Sequence, residues 1–321
     1  MHQSLNGGWH VFRNSTGPIR FRMPASNSPV SSPLPRITII TPAIGDDTHL
    51  EETLRSVLYQ NYPDLEVIVI EDGTSSQRRD ILEKYSSRLS WEICPAGTEL
   101  YAALNMAFAK SSGEVMGWLE PGDLLHTKGL LVIGSVFSSF PNAGWITGRP
   151  FNFSPNGMPT GMKHLERWSR IRFLAGGNKY IHRETTFWRR GLWERAGGLS
   201  TAYGLAGDFD LFVRFFRYAP LYSVDALIGG YRWHPGNHSE NGSHRHYNQI
   251  CDEIADRELA QVSGAYAAKF FRRLTRMVSY IPRMRRLWHK FALQLIYRCP
   301  GPDWPPRIVA RRDNWILESE R

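Results

Sequence analysis

The stretch Ser56-Val-Leu-Tyr-Gln-Asn-Tyr-Pro-Asp-Leu-Glu-Val-Ile-Val-Ile-Glu-Asp-Gly73 decides the fold. Its first part closes an apolar helical stripe, with Leu50, Leu54, Val57 and Leu58 on one face of a helix expected over His49 to Asn61. Tyr62-Pro63 ends that helix, because the residue before a proline is pushed out of the helical region. Leu65 to Glu71 is then a continuous β-branched run, the pattern of a strand buried on both faces. The run ends on Glu71, Asp72 and Gly73, an acidic turn.

Reading outward, Ile37-Thr-Ile-Ile-Thr-Pro-Ala43 is a second buried strand, ahead of the helix. Helices are expected over Ser76 to Tyr85 and Tyr101 to Lys110, and a third strand over Val115 to Glu120. Strand, helix, strand, helix, strand means right-handed βαβ crossovers and a parallel sheet. In such a sheet ligands bind beyond the carboxyl ends of the strands. Thr41, Asp72 and the run Glu120 to Asp123 all lie just past or at such ends, so three pieces of chain bring polar groups to one edge. Farther on come loop-rich residues 149–180, a segment Thr185 to Ala196, the break Gly197-Gly198, and a helix over Asp208 to Tyr218.

The composition agrees with a packed enzyme-sized body. Of 321 residues, 42% are hydrophobic and 12% aromatic, which excludes a disordered chain. The net charge of +9 points to an anionic partner or to a charge excess that serves solubility. Cys94, Cys251 and Cys299 are widely spaced, and neither a disulfide framework nor a metal-ligand pair follows, so free thiols in a reducing compartment are expected. The chain contains no apolar run of about 18 residues and no apolar signal core near its start, so the expected location is cytoplasmic. Residues 1–35, rich in Gly, Ser, Asn and Pro, are expected to form a mobile leader. Between Ala265 and Arg298 the chain has nine Lys or Arg and no Asp or Glu. That basic, apolar-interleaved segment is expected either to lie on an anionic membrane, peripheral at its inner face, or to pack on the main body with its charges solvated. No nucleic-acid module accompanies the charge, so nucleic acid is not an expected partner.

Four side chains stand where they could carry chemistry, each with an ordinary structural alternative. Asp72 can accept hydrogen bonds from a nucleobase or cap its own turn. Asp123, with Glu120 nearby, can bind a hard cation or cap the next segment. Asp208, at a helix start, can take a proton or complement the helix dipole. His234 can complete a metal site or be a solvated loop histidine.

Taken together and in order, Thr41-Pro-Ala43, the block Glu52 to Ser75, the block Ala102 to Leu125, Thr185 to Leu199, Gly207 to Arg214 and Tyr231 to His234 resemble the inverting family 2 glycosyltransferases. The resemblance runs over about Ile37 to Ser239. It implies a GT-A fold, an α/β nucleotide-binding domain over residues 36–245; the basic pattern beyond it leads to the expectation of a helical, amphipathic extension over 246–321. It implies a nucleoside-diphosphate sugar donor, UDP- or GDP-linked, a glycan or lipid-linked acceptor, and polysaccharide or glycoconjugate synthesis as the setting. Thr41, Pro42 and Asp72 match the nucleoside pocket, and Glu120 stands among the donor-binding residues. Asp123 matches the metal-binding aspartate, with His234 as its helper and Mg or Mn as the cation. Asp208 matches the base that deprotonates the acceptor, and Glu184 and Trp188 fall where acceptor and sugar meet. Three departures stand out: Gly122 replaces a carboxylate, the Tyr101 to Ala107 run lacks an Asp and a Lys, and Ile44-Gly45 replaces Tyr and Asn. They leave open an alternative, a degenerate homologue that binds nucleotide or a partner without turnover.

Overall fold

The computed structural model describes residues 3–5, 9–12, 20–21, 33–45, 48–175, 179–232, 243–261, 269–270, 272–273, 305–311 and 314–318. Three short strands, β1 (Gln3–Leu5), β2 (Trp9–Phe12) and β3 (Arg20–Phe21), pair antiparallel within the expected leader. Trp9, Val11, Phe12 and Phe21 are strand-forming types, a local preference that the surrounding Gly and Asn obscure in a compositional reading.

The main body begins with β4 (Ile37–Ala43), α1 (Leu50–Leu58), β5 (Leu65–Glu71), α2 (Ser76–Lys84), β6 (Ser90–Ile93), α3 (Leu100–Lys110) and β7 (Val115–Trp118). These strands are parallel, in the order β6-β5-β4-β7. All seven residues of β4 are buried, as a central strand covered on both faces requires. Successive side chains go to opposite layers. Ile40, Ile68 and Ile70 face a core with Phe108 of α3, whereas Ile37, Ile39, Val67 and Val69 face one with Leu50, Leu54 and Val57 of α1.

The chain continues through β8 (Leu124–Leu125), α4 (Gly129–Ser139), β9 (Trp145–Phe153), β10 (Pro159–Met162), α5 (Arg170–Ala175), β11 (Thr186–Arg189), α6 (Arg190–Ala196), α7 (Gly207–Tyr218), β12 (Leu221–Arg232) and α8 (Ser243–Gln261). Strand β11 runs antiparallel between β7 and β9, and β12 lies parallel to β9, which makes the sheet mixed. The expected segment Thr185 to Ala196 is thus a strand followed by a helix. An aromatic cluster of Phe108, Trp118, Trp188, Trp193 and Phe215 fills the layer over this half.

The extension expected to be helical is only partly so. Its expected start at residue 246 falls inside α8, a helix that carries Asp252, Glu253, Asp256 and Glu258 rather than basic residues alone. Its far end returns to the sheet as β13 (Arg307–Arg311), parallel to β12, and β14 (Asn314–Glu318), antiparallel to β13. Ile308, Val309 and Ala310 are buried there, and Trp315 Nε1 donates to Ser135 Oγ of α4 at 2.8 Å. The β12 edge was open to receive them, and β-branched residues fit it. Of the basic segment, Lys269–Phe270 and Arg272–Arg273 are described, and they are helical. Arg272 is buried and pairs with Asp252 and Asp256, so at this point the segment packs on the body. The rest of Ala265 to Arg298, and Cys299, lie outside the described residues; Cys94 and Cys251 are free and buried. Among the described residues no helix is long and apolar enough to cross a membrane.

Gly229 of β12 is the closest backbone approach behind the site described next. A Cβ there would stand 2.4 Å from the carbonyl oxygen of Glu184 and 3.2 Å from that of Leu124. Gly229→Ala should therefore destabilise the fold by about 1–3 kcal/mol, as overpacking does. Denaturant unfolding of the purified variant measures it.

Candidate active site

The strand order reverses between β4 and β7. From β4 the chain steps outward to β5 and β6, then returns to lay β7 on the other side. A parallel sheet opens into a crevice at such a switch point. The opening is visible in the register: β4 pairs with β5 through Ala43 but with β7 only through Ile40. Pro42, which has no N–H to give a ladder, lies beyond that last β7 pair. Thr41 and Pro42 are both buried at this point of the strand, and Thr41 Oγ1 has no hydrogen-bond partner among the described residues.

On one side of the crevice Asp72 follows β5. Its Oδ1 accepts from Thr74 N at 3.1 Å, Thr74 Oγ1 at 2.6 Å and Arg78 Nη1 at 2.6 Å, and its Oδ2 accepts from Gly45 N at 3.2 Å. Burial opposes its ionisation, but these donors outweigh burial and hold the carboxyl below the usual range. Arg78 is itself buried and also donates to Gly45 O at 3.0 Å. The Asp72 turn and the loop after β4 are thereby tied together, and Oδ2 keeps a lone pair for a ligand.

On the other side the chain leaves β7 as Leu119-Glu120-Pro121-Gly122-Asp123. This loop is pinned by Thr53 of α1, whose Oγ1 accepts from Gly122 N at 2.9 Å and donates to Asp123 O at 2.8 Å. Asp123 Oδ2 accepts from Glu120 N at 3.2 Å. Gly122 has φ 104°, which side chains rarely adopt, so the carboxylate missing here has a backbone reason. Facing the loop is a turn, Arg183–Thr185. Arg183 Nη2 donates to Glu120 Oε2 at 2.6 Å, and its Nε lies 3.9 Å from Asp123 Oδ2. Burial, with the negative charges of Glu184 and Glu120 added, drives the Asp123 carboxyl well above the ordinary value, against the pull of Arg183. Glu184 is buried too, yet His182, whose Nδ1 lies 2.8 Å from Glu184 Oε1, brings its carboxyl below the usual value. Lys163 Nζ stands 3.1 Å from His182 Nε2.

Asp208 stands in the first turn of α7. Its Oδ1 accepts from Phe209 N at 2.7 Å and from the Tyr247 hydroxyl of α8 at 3.4 Å. Burial raises its pKa, Arg183 lowers it and Glu120 raises it again, so Asp208 feels the same charges as Asp123 and belongs to the same crevice. The Tyr247 ring stacks on Tyr180 at 5.2 Å, and Tyr101 fastens the loop ahead of α7 by donating to Leu205 O at 3.0 Å. Asp210 turns away to Arg214.

The structure thus groups Glu120, Asp123, Glu184 and Asp208 around Arg183, with Asp72 across the switch point. Trp188 is not among them. It is fully buried on β11, 5.4 Å from Trp118 and 6.0 Å from Trp193, because the alternation of β11 turns it into the aromatic core. It cannot touch a sugar from there. His234 lies outside the described residues. Arg183, His182, Tyr101 and Tyr247 were not expected at the site from the sequence. Among the described residues no group of three or more His, Cys, Asp or Glu is arranged to hold a metal. The hard oxygens of Asp123 and Glu120, in a crevice with surplus negative charge, still suit Mg or Mn, which are commonly held by one or two carboxylates together with substrate phosphates.

The family description Glycosyl transferase family 2 matches residues 38–133, from β4 to α4. The matched segment, about a third of the chain, is similar to the family 2 glycosyltransferases. The probable glycosyltransferase YdaM of Bacillus subtilis is 30% identical over 57% of this chain and 47% of its own length. The putative teichuronic acid biosynthesis glycosyltransferase TuaG of the same organism is 28% identical over 28% of this chain and 36% of its own. The chain spans about a third to a half of the first curated relatives it matches. Among solved structures, S. aureus TarS 1-349 in complex with UDP-GlcNAc superimposes with a TM-score of 0.56 at 16% identity, over 71% of this chain and 67% of that one. That likeness establishes the GT-A fold. Within the matched segment lie the switch point, Asp72, Glu120 and Asp123, whereas Arg183, Glu184 and Asp208 come from chain beyond it.

The raised pKa of Asp208 has a stability consequence. A carboxyl whose pKa is higher folded than unfolded supports the fold below the unfolded pKa and loses that support as pH rises through the folded pKa. At pH 7, well above the unfolded aspartate range, the burial of Asp208 therefore costs stability. Asp208→Asn, which keeps an acceptor for Phe209 N–H, should melt at a higher temperature than the parent at pH 7. The gap should close as pH falls below the ordinary aspartate range, and a melting series against pH reads both.

Proposed function

We propose that the chain transfers a sugar from a nucleoside-diphosphate donor to an acceptor hydroxyl with inversion at the anomeric carbon. The observation that carries this reading is Asp208, a carboxylate with a raised pKa, in the same crevice as the Glu120–Asp123 loop and Arg183. In the reading, Asp72 Oδ2, Thr41 and Pro42 grip the nucleoside. Asp208 takes the proton of the acceptor hydroxyl as its oxygen attacks the anomeric carbon. The bond from that carbon to the diphosphate breaks, and its electron pair leaves with the diphosphate. A divalent cation on Asp123, with Glu120 beside it and His234 as a candidate helper, would offset the charge that develops there. In the reading, Glu184, buried and bonded to His182, orients that ring rather than meeting the sugar. Direct displacement by a single base accounts for inversion. A base with a pKa above that of free aspartate also accepts the proton more readily than an ordinary carboxylate would.

The family assignment favours this class of reaction, and the UDP-GlcNAc named with TarS makes UDP-sugars the first donors to try. The name of TuaG favours assembly of a surface polysaccharide, with a glycan or a lipid-linked saccharide as acceptor.

Melting temperature against UDP, GDP and their sugars, each with and without Mn, tests the donor site. One nucleoside diphosphate should raise it in a metal-dependent way, with about 2.7 kcal/mol of stabilisation at a hundredfold excess over Kd. No shift with any of them overturns the reading. Asp208→Asn should keep that shift while turnover falls roughly 10²–10⁴-fold; turnover at the parent rate removes Asp208 from the role of base.

A further inference from the structure

Among the described residues Arg183 is the cation paired with the carboxylates of the Glu120–Asp123 loop, while Arg232 reaches the loop only at the Gly122 carbonyl, at 3.4 Å. One of its amino groups is committed to Glu120. Its Nε is buried, has no hydrogen-bond partner among the described residues, and stops 3.9 Å short of Asp123 Oδ2. A guanidinium has five N–H donors in a rigid fork that fits phosphate oxygens. Arg183 is thus held beside two carboxylates with donor capacity left over. Its side chain stands on a turn fixed by its neighbours: Thr185 and Thr186 both donate to His182 O, at 2.9 and 2.7 Å. Glu184 is turned inward to His182 and leaves Arg183 as the member of the turn that faces the crevice.

We propose that Arg183 is a diphosphate-binding residue that rests on Glu120 and Asp123 when no donor is present, so that the guanidinium and a divalent cation compete for the same carboxylates. The inference deepens the reading of the site as a nucleoside-diphosphate site and rests on it for the donor. A cation arriving with the diphosphate takes over the carboxylates, and the released guanidinium turns its fork to the phosphate oxygens. Arginine suits this exchange because it stays charged in both positions. The same surplus of negative charge that tolerates one cation in the resting site then meets two cations and one dianionic diphosphate in the loaded site. Coupling of this kind is reciprocal: the nucleotide must tighten the metal by the factor with which the metal tightens the nucleotide.

The test measures two affinities in Arg183→Gln and in the parent, with melting temperature as a check of folding. Mn²⁺ alone, followed by its electron spin resonance signal, should bind the variant at least about tenfold tighter, because its competitor is gone. UDP and GDP, titrated calorimetrically in saturating Mn²⁺, should bind at least about tenfold more weakly. Opposite signs are the signature, since a merely loosened fold weakens both. Mn²⁺ binding that is unchanged or weaker in the variant overturns the proposal. If Arg183→Gln fails to fold, Arg183→Lys decides: it keeps the charge but loses the fork, so nucleotide affinity should drop while Mn²⁺ affinity stays near that of the parent. Equal nucleotide affinity there overturns the proposal. A parent that binds neither UDP nor GDP defeats the donor reading, while the Mn²⁺ comparison still decides the competition.

Discussion

Everything in the site depends on β4 and β7 parting after Ile40 and Trp118. Up to that pair the two strands share a ladder and their side chains fill both core layers. Past it, β4 continues beside β5 alone, and the chain after β7 turns off toward α1. The gap is not a defect of packing. It follows from chain order: a sheet that grows outward from β4 and then returns must leave its two neighbouring loops pointing away from each other. Thr53 then fixes the Glu120–Asp123 loop, and Arg78 fixes the Asp72 turn, so each rim is rigid before any ligand arrives.

The two rims differ in their electrostatics. Asp72 is surrounded by donors and is content as an anion. Glu120, Asp123, Glu184 and Asp208 share essentially one guanidinium and one imidazole, and two of the four have carboxyls pushed up. A cluster so short of positive charge is costly to keep buried. Folding alone would not select it, and it is a common mark of a site tuned for a ligand or for proton transfer.

Much of this was legible in the chain. The buried strands, the helix at Leu50 and the acidic turns read cleanly because alternation and apolar runs are local. Asp72, Asp123 and Asp208 could be picked out since each closes a strand or opens a helix. Arg183 could not, because a single arginine in a loop-rich stretch has no period, and its meaning comes from a loop some sixty positions away in sequence. Trp188 misled for the opposite reason: it sits in a motif-rich run, but the strand it belongs to alternates, and the parity of its position buries it. The end of the chain misled as well. Composition near Ala265 to Arg298 suggested a basic helix throughout, while Ile308 to Ala310 are too few to announce a strand without the open edge of β12 beside them.

Tyr247 gives the site a temporal property. The hydroxyl that touches Asp208 is supplied by α8, and α8 is fastened by Glu258, buried and bonded to Arg170 and Arg217. As the chain emerges from the ribosome, β4 to β7 can collapse and form both rims while α8 is still being made. The crevice exists first and Asp208 gains its contact from α8 last. A nascent or truncated chain that stops short of Glu258 would then hold the acidic rim without an anchored α8, so the contact to Asp208 arrives with the last turns of α8 and not with the matched segment.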